Sequence, residues 1–114
     1  MAYDPSRIPV NAVAPYELVY RLKSVSFDLS KATSAKFVYR RAKGQGTTGE
    51  WPATIRNKQS RSIELVYVFQ AGDLPSPDEI IFEGRVLTSL GPGEIIGTTK
   101  TLIVVEHPAR SITV

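Results

Sequence analysis

Residues 27–41 read FDLSKATSAKFVYRR, and the fold follows from how that stretch is parsed. Its second half alternates: Ala35, Phe37 and Tyr39 fall on one side, Lys36, Val38 and Arg40 on the other. Successive side chains of a strand point to opposite faces, so this pattern predicts a strand buried on one face. The first half is rich in short polar residues. Asp28, Ser30, Thr33 and Ser34 can each hydrogen-bond nearby backbone, which competes with helix and favours a bend. The expectation is a bend that carries the chain from a sheet edge into a central strand of a β-sandwich.

The two-residue period persists in both directions. In residues 16–23, Tyr16, Leu18, Tyr20 and Leu22 oppose Glu17, Val19, Arg21 and Lys23. Residues 50–57 place Trp51, Ala53 and Ile55 on one side, and residues 61–70 do the same with Ile63, Leu65, Tyr67 and Phe69. The polar connection between these two runs predicts a hairpin. Residues 79–90 carry Ile80, Phe82 and Val86 inward. Gly84 shares that face, where a missing side chain marks a bulge or close packing. A tight turn at Gly91, Pro92 and Gly93 leads to a last strand over 94–106, interrupted near Gly97.

No segment longer than a turn shows the 3.6-residue period. The predicted fold is therefore all-β, a single antiparallel β-sandwich of about seven strands over residues 16–106. Residues 1–15 hold Pro5, Pro9 and Pro15. Proline fixes φ and lacks a donor, so this part is expected to be an extended arm or edge segment. Residues 107–114 form a short tail.

At 114 residues the chain suits one core. No apolar run approaches the ~18 residues of a membrane span, so no membrane partner is expected. The first fifteen residues lack the apolar centre of an export signal. With no cysteine there is no disulfide framework and no thiolate metal site. This fits synthesis in a reducing cytoplasm. The net charge of +3 comes from 14 basic and 11 acidic residues. Two clusters, Arg40/Arg41/Lys43 and Arg56/Lys58/Arg61, fall at predicted strand ends, where solvated charge is the simpler reading. Nucleic-acid binding would require the two to meet on one face.

Gly44, Gly46 and Gly49 match GxGxxG after a strand. A dinucleotide site needs a helix to start there, and residues 50–52 begin a strand instead, so no cofactor is expected. His107 is the single histidine and lacks a second imidazole or thiolate nearby, so no metal is expected either. Asp78 and Glu79 sit at a loop-to-strand junction, where solvation explains them. No local signature supports a nucleophile, and no catalytic residue is assigned. Trp51 reads as core, because its large apolar area favours burial.

Five pieces in order, DLSKAT (28–33), KFVYRR (36–41), EWPATI (50–55), YVFQAGDL (67–74) and IIFEGRV (80–86), carry a resemblance. Together they resemble the small Ig-like β-sandwich domain of tailed-phage structural proteins, including the N-terminal domain of upper baseplate proteins. The likeness spans roughly residues 16–106. Family members often carry a glycine before the aromatic strand that follows the Asp-Leu loop; Ser76, Pro77 and Asp78 stand there in this chain. The resemblance implies an Ig-like fold and a stand-alone virion component: a tail, baseplate, neck, adaptor or decoration subunit. It carries no catalytic residues across, and no enzymatic activity is expected; the expected partners are other virion proteins, in a homo-oligomer or ring.

An open sandwich has edges that invite pairing with another chain. Candidate partner-binding residues are Ile8 and Val10 in the arm, Arg40 and Arg41 at a strand end, and Ile112 and Val114 in the tail. The alternative function is a carbohydrate- or host-surface-binding Ig-like module. It would place Trp51 or several tyrosines on an exposed face.

Overall fold

A computed structural model describes residues 7–43, 47–89 and 93–106. The polar stretch ahead of the central strand forms the expected bend. The Asp28 carboxylate accepts from the Ser30 amide at 3.0 Å and caps a single 3-10 turn, Leu29–Lys31. Leu29 is thereby dropped into the core.

Eight strands surround the bend among the described residues. They are β1 (Arg7–Pro9), β2 (Glu17–Lys23), β3 (Ala32–Arg41), β4 (Thr48–Arg56), β5 (Ser62–Val68), β6 (Asp78–Thr88), β7 (Ile95–Ile96) and β8 (Lys100–Val105). They pair in the order β1-β8-β6-β3-β4-β5-β2, with β7 also on β6. The bend therefore joins β2, at the end of the path, to β3, between β6 and β4. That is the edge-to-centre step expected from residues 27–41.

The path is continuous because β4 serves two neighbours. Its first part, from Thr48 to Ala53, pairs with β3. Its last three residues, Thr54, Ile55 and Arg56, pair with β5. Pro52 has no N–H to donate and lies just before the changeover. The result is one curled sheet that brings β2 and β5 over β3 and β6. Tyr20 of β2 meets Phe37 of β3 and Phe82 of β6 edge-on, at ring separations of 6.0 and 6.1 Å. Leu18, Leu22, Ile63 and Leu65 from one limb, and Ile80, Val86, Leu102 and Val104 from the other, fill the rest of the core.

Gly84 lies where the two limbs approach closely. A β-carbon there would sit 2.7 Å from Leu65 Cδ1 and 3.1 Å from the Tyr20 ring. Close packing, not a bulge, explains the missing side chain. The bulge falls instead in β3, between Ala32 and Ser34.

Two expectations change, and a third is met. The sheet is mixed, because β1 runs parallel to β8, with Ile8 opposite Val104. Ile8 is buried, and burying an isoleucine side chain contributes about 1.5–3 kcal/mol; part of the predicted arm is thus a strand of the domain. The last strand is interrupted at Gly97 as expected, leaving β7 and β8. Gly97 donates to the Gly84 carbonyl at 2.9 Å and leans on Tyr20 and Leu22, so the chain leaves the sheet between β7 and β8. Asp78, expected to be solvated, is only 6% exposed. Its Oδ1 accepts from the Lys43 amide at 2.9 Å and the Glu79 amide at 2.7 Å. These two backbone donors explain why a carboxylate is tolerated there.

Candidate assembly surface

β2 ends the pairing path, so among the described residues no strand lies along its outer side. A strand edge left open presents a row of backbone groups that another chain can pair with. The alternation of β2 sends Leu18, Tyr20 and Leu22 into the core and leaves Val19, Arg21 and Lys23 on the outer face. On its paired side, Arg21 lies opposite Glu64 of β5 and forms an ion pair with it at 2.8 Å.

A groove of about 570 Å³ runs beside this edge. One wall is β2 from Tyr20 to Lys23 and the residues after it. The other is the chain from Ile95 to Lys100. The Tyr20 hydroxyl donates to the Thr98 carbonyl at 2.7 Å, tying the walls together. Lys100 lies 5.3 Å from the centre of the Tyr20 ring, a cation–π distance. Burial pushes the Tyr20 phenol above its ordinary range, against the lowering effect of its hydrogen bond to Thr98.

The groove is lined by polar and apolar side chains together, and some of the apolar ones are largely exposed. Phe27 and Ile96 are each 54% exposed, and Val25 beside them is 85% exposed. Phe27 also lines a smaller neighbouring recess of about 310 Å³ with Val25, Ser60 and Arg61. The loop that holds these residues is fixed: Ser24 Oγ accepts from the Ser26 and Phe27 amides, and Arg61 Nη1 donates to the Val25 carbonyl at 2.7 Å. Large apolar side chains on an anchored loop, next to an open edge, are the ingredients of a binding surface.

The residues singled out from sequence are placed differently. Ile8 is consumed by the core, and Val10 is half-buried with its amide bonded to the Val105 carbonyl at 2.9 Å. Arg41 donates to the Asp73 carbonyl at 2.7 Å and sits 5.1 Å above the Tyr39 ring. Arg40 is exposed at the end of β3. Ile112 and Val114, with His107, lie outside the described residues, as do Gly44 and Gly46 of the glycine loop. The loop leads into β4, which pairs antiparallel with β3, so no helix begins there.

The two basic clusters are held apart. Arg40 pairs with Thr48 at the start of β4, and Arg56 ends that strand, about 26 Å away at ~3.3 Å per residue. Members of the second cluster are spent locally. Arg56 bonds Glu64 at 3.1 Å, and Lys58 donates to the Ala32 carbonyl at 3.0 Å.

Trp51 is 3% exposed, as its core reading expects. It stacks on Tyr39 at 4.2 Å and on Tyr67 at 5.3 Å, with Phe69 edge-on at 5.4 Å. No face of the indole is left for a sugar ring. Among the described residues, no group of three His, Cys, Asp or Glu side chains is placed to hold a metal ion. No family model matches this sequence, and none of the curated proteins matches it.

Sequence reasoning did not find Lys23, Phe27, Ile96 and Lys100. One signal was available: Val25 and Phe27 continue an apolar alternation past the end of β2, into a serine-flanked loop with no strand to bury them.

Proposed function

We propose that this protein is a non-enzymatic structural subunit that acts by binding other protein chains. Its proposed setting is the virion of a tailed phage, as a tail, baseplate, neck or adaptor/decoration component made in the host cytoplasm. The observation that carries the reading is the open edge of β2, flanked by the exposed Phe27, Val25 and Ile96. The phage setting rests on the resemblance of residues 16–106 to the Ig-like domains of phage structural proteins. The pairing order supports only the Ig-like part of that resemblance: β2-β5-β4 and β8-β6-β3 match the B-E-D and G-F-C neighbours of an Ig sandwich, with β3 also paired to β4 so that the two sets form one sheet. A ring of identical subunits that leaves the β2 edge free for a different protein is the proposed assembly, since head-to-tail contacts close when the rotation between copies allows.

Quantitative mass spectrometry of purified particles from the phage encoding this chain tests the proposal. The expected result is a fixed copy number per particle. Abundance in the infected-cell lysate with none in washed particles overturns it.

A further inference from the structure

We infer that the groove beside β2 takes an extended peptide from a different protein, one that alternates apolar and acidic residues and adds to β2 as a new strand. The inference rests on the assembly reading and names the partner chemistry of that surface.

The two-residue period of a sheet dictates the pattern. A strand laid against the open side of β2 would set alternate side chains toward the side of the sheet that carries Tyr20 and Leu22, where Ile95 and Ile96 line the opposite wall of the groove. Its remaining side chains would lie on the outer face beside Arg21 and Lys23. Lys100 adds a third cation from the opposite wall, and no carboxylate is among the residues that line the groove. Arg21 already has Glu64. Lys23 and Lys100 make no ion pair with any described carboxylate, so they supply the complementarity that selects acidic residues.

The same charges argue against the C-terminal run of a second copy as the donor. The chain's own net charge is +3, and its C-terminal alternating run, residues 110–114, carries Arg110 and no acid. Placing that run beside Lys23 would set like charges opposite each other, which destabilises a strand pair.

The test uses the full chain and fluorescent peptides of about nine residues, enough to cover β2. One alternates Ile with Glu, a second replaces Glu with Lys, and a third carries prolines that cannot complete a ladder. Only the Ile/Glu peptide is expected to bind, with amide NMR shifts confined to β2 and residues 95–100. Binding should weaken as salt rises and fall by about tenfold in a Lys23→Glu/Lys100→Glu variant whose melting temperature is unchanged. Equal binding of the Lys peptide, or shifts elsewhere, overturns the inference. So does binding that appears only after residues 107–114 are removed, which would give the edge to the chain's own tail. If no peptide binds while the protein is still found in particles, the inference fails and the assembly reading stands.

Discussion

The Tyr20 hydroxyl and the Thr98 carbonyl are 2.7 Å apart, and their hydrogen bond joins residues 78 positions apart in the chain. It fastens the free edge of β2 to the segment between β7 and β8, where Gly97 leaves room for the phenol. Tyr20→Phe keeps the ring packed against Phe37 and Phe82 but removes this fastening. The expected loss is about 1 kcal/mol in urea unfolding, the usual net value of one hydrogen bond. Exchange of amide hydrogens over residues 95–100 should accelerate more than at β6. Uniform acceleration throughout the sheet would contradict a local role for the bond.

Gly84→Ala tests a close approach of the two limbs. The added methyl would meet Leu65 Cδ1 at 2.7 Å, and Leu65 is itself fully buried. Overpacking of this kind costs typically 1–3 kcal/mol. Combined with Leu65→Ala, which frees the space, the loss should be smaller than the sum of the two single losses. Additive losses in the cycle would show that the limbs are not in contact there.

Asp78→Ala removes the acceptor shared by the Lys43 and Glu79 amides. Leaving such donors without a partner costs about 1–3 kcal/mol. Asp78→Asn retains an oxygen in the same place and should lose less. Equal losses in the two variants, measured by chemical denaturation, would mean that the charge and not the acceptor geometry matters.

The alkaline limit of stability follows from Tyr67 and Tyr20. Burial first, and then the Asp73 carboxylate that accepts its hydrogen bond, hold the Tyr67 phenol well above its ordinary value of 10.0. The Tyr20 phenol is displaced the same way, chiefly by burial. The unfolded chain therefore releases these protons first. Their stabilising contribution is whole below the ordinary value and is lost as pH rises from there toward the folded-state values. Urea midpoints should fall between about pH 9 and pH 11, and Tyr67→Phe should flatten that fall.

At the acid end Glu64 is one of two relevant carboxylates, the other being Asp28, which its bonds to Ser30 hold below the ordinary range. Hydrogen bonds from Arg56 and Asn57 hold the Glu64 carboxyl below the ordinary 4.5. Its contribution is present above that value and disappears as pH falls through the lower folded-state one. Glu64→Gln should make thermal stability less sensitive to pH over the range from about 5 to about 3. An unchanged acid profile would remove Glu64 from the account.

Much of this fold could be read from the sequence because the information was local. The alternation in residues 16–23, 36–41 and 61–70 depends only on which side of a strand each residue occupies, and Gly84 stood out on an otherwise bulky face. Pairing is not local. Nothing in residues 48–56 says that β4 must share itself between β3 and β5. Likewise the parallel contact of β1 with β8 joins the two ends of the described chain. The same limit applied to the candidate site. Lys23 and Lys100 come from opposite ends of the sequence and face one groove only after the sheet has curled. Arg40 and Arg41, adjacent in sequence, drew attention for a charge that in Arg41 is engaged by Tyr39 and Asp73.

The parallel pairing of β1 with β8 has a mechanical consequence. The chain enters β1 at Arg7 and leaves β8 at Val105, and these residues lie at opposite ends of the paired segment. Tension transmitted along the polypeptide would therefore slide one strand past the other, loading the contacts from Arg7–Ile103 to Pro9–Val105 together and not one after another. A module held this way resists being pulled open more strongly than one whose terminal strands peel apart.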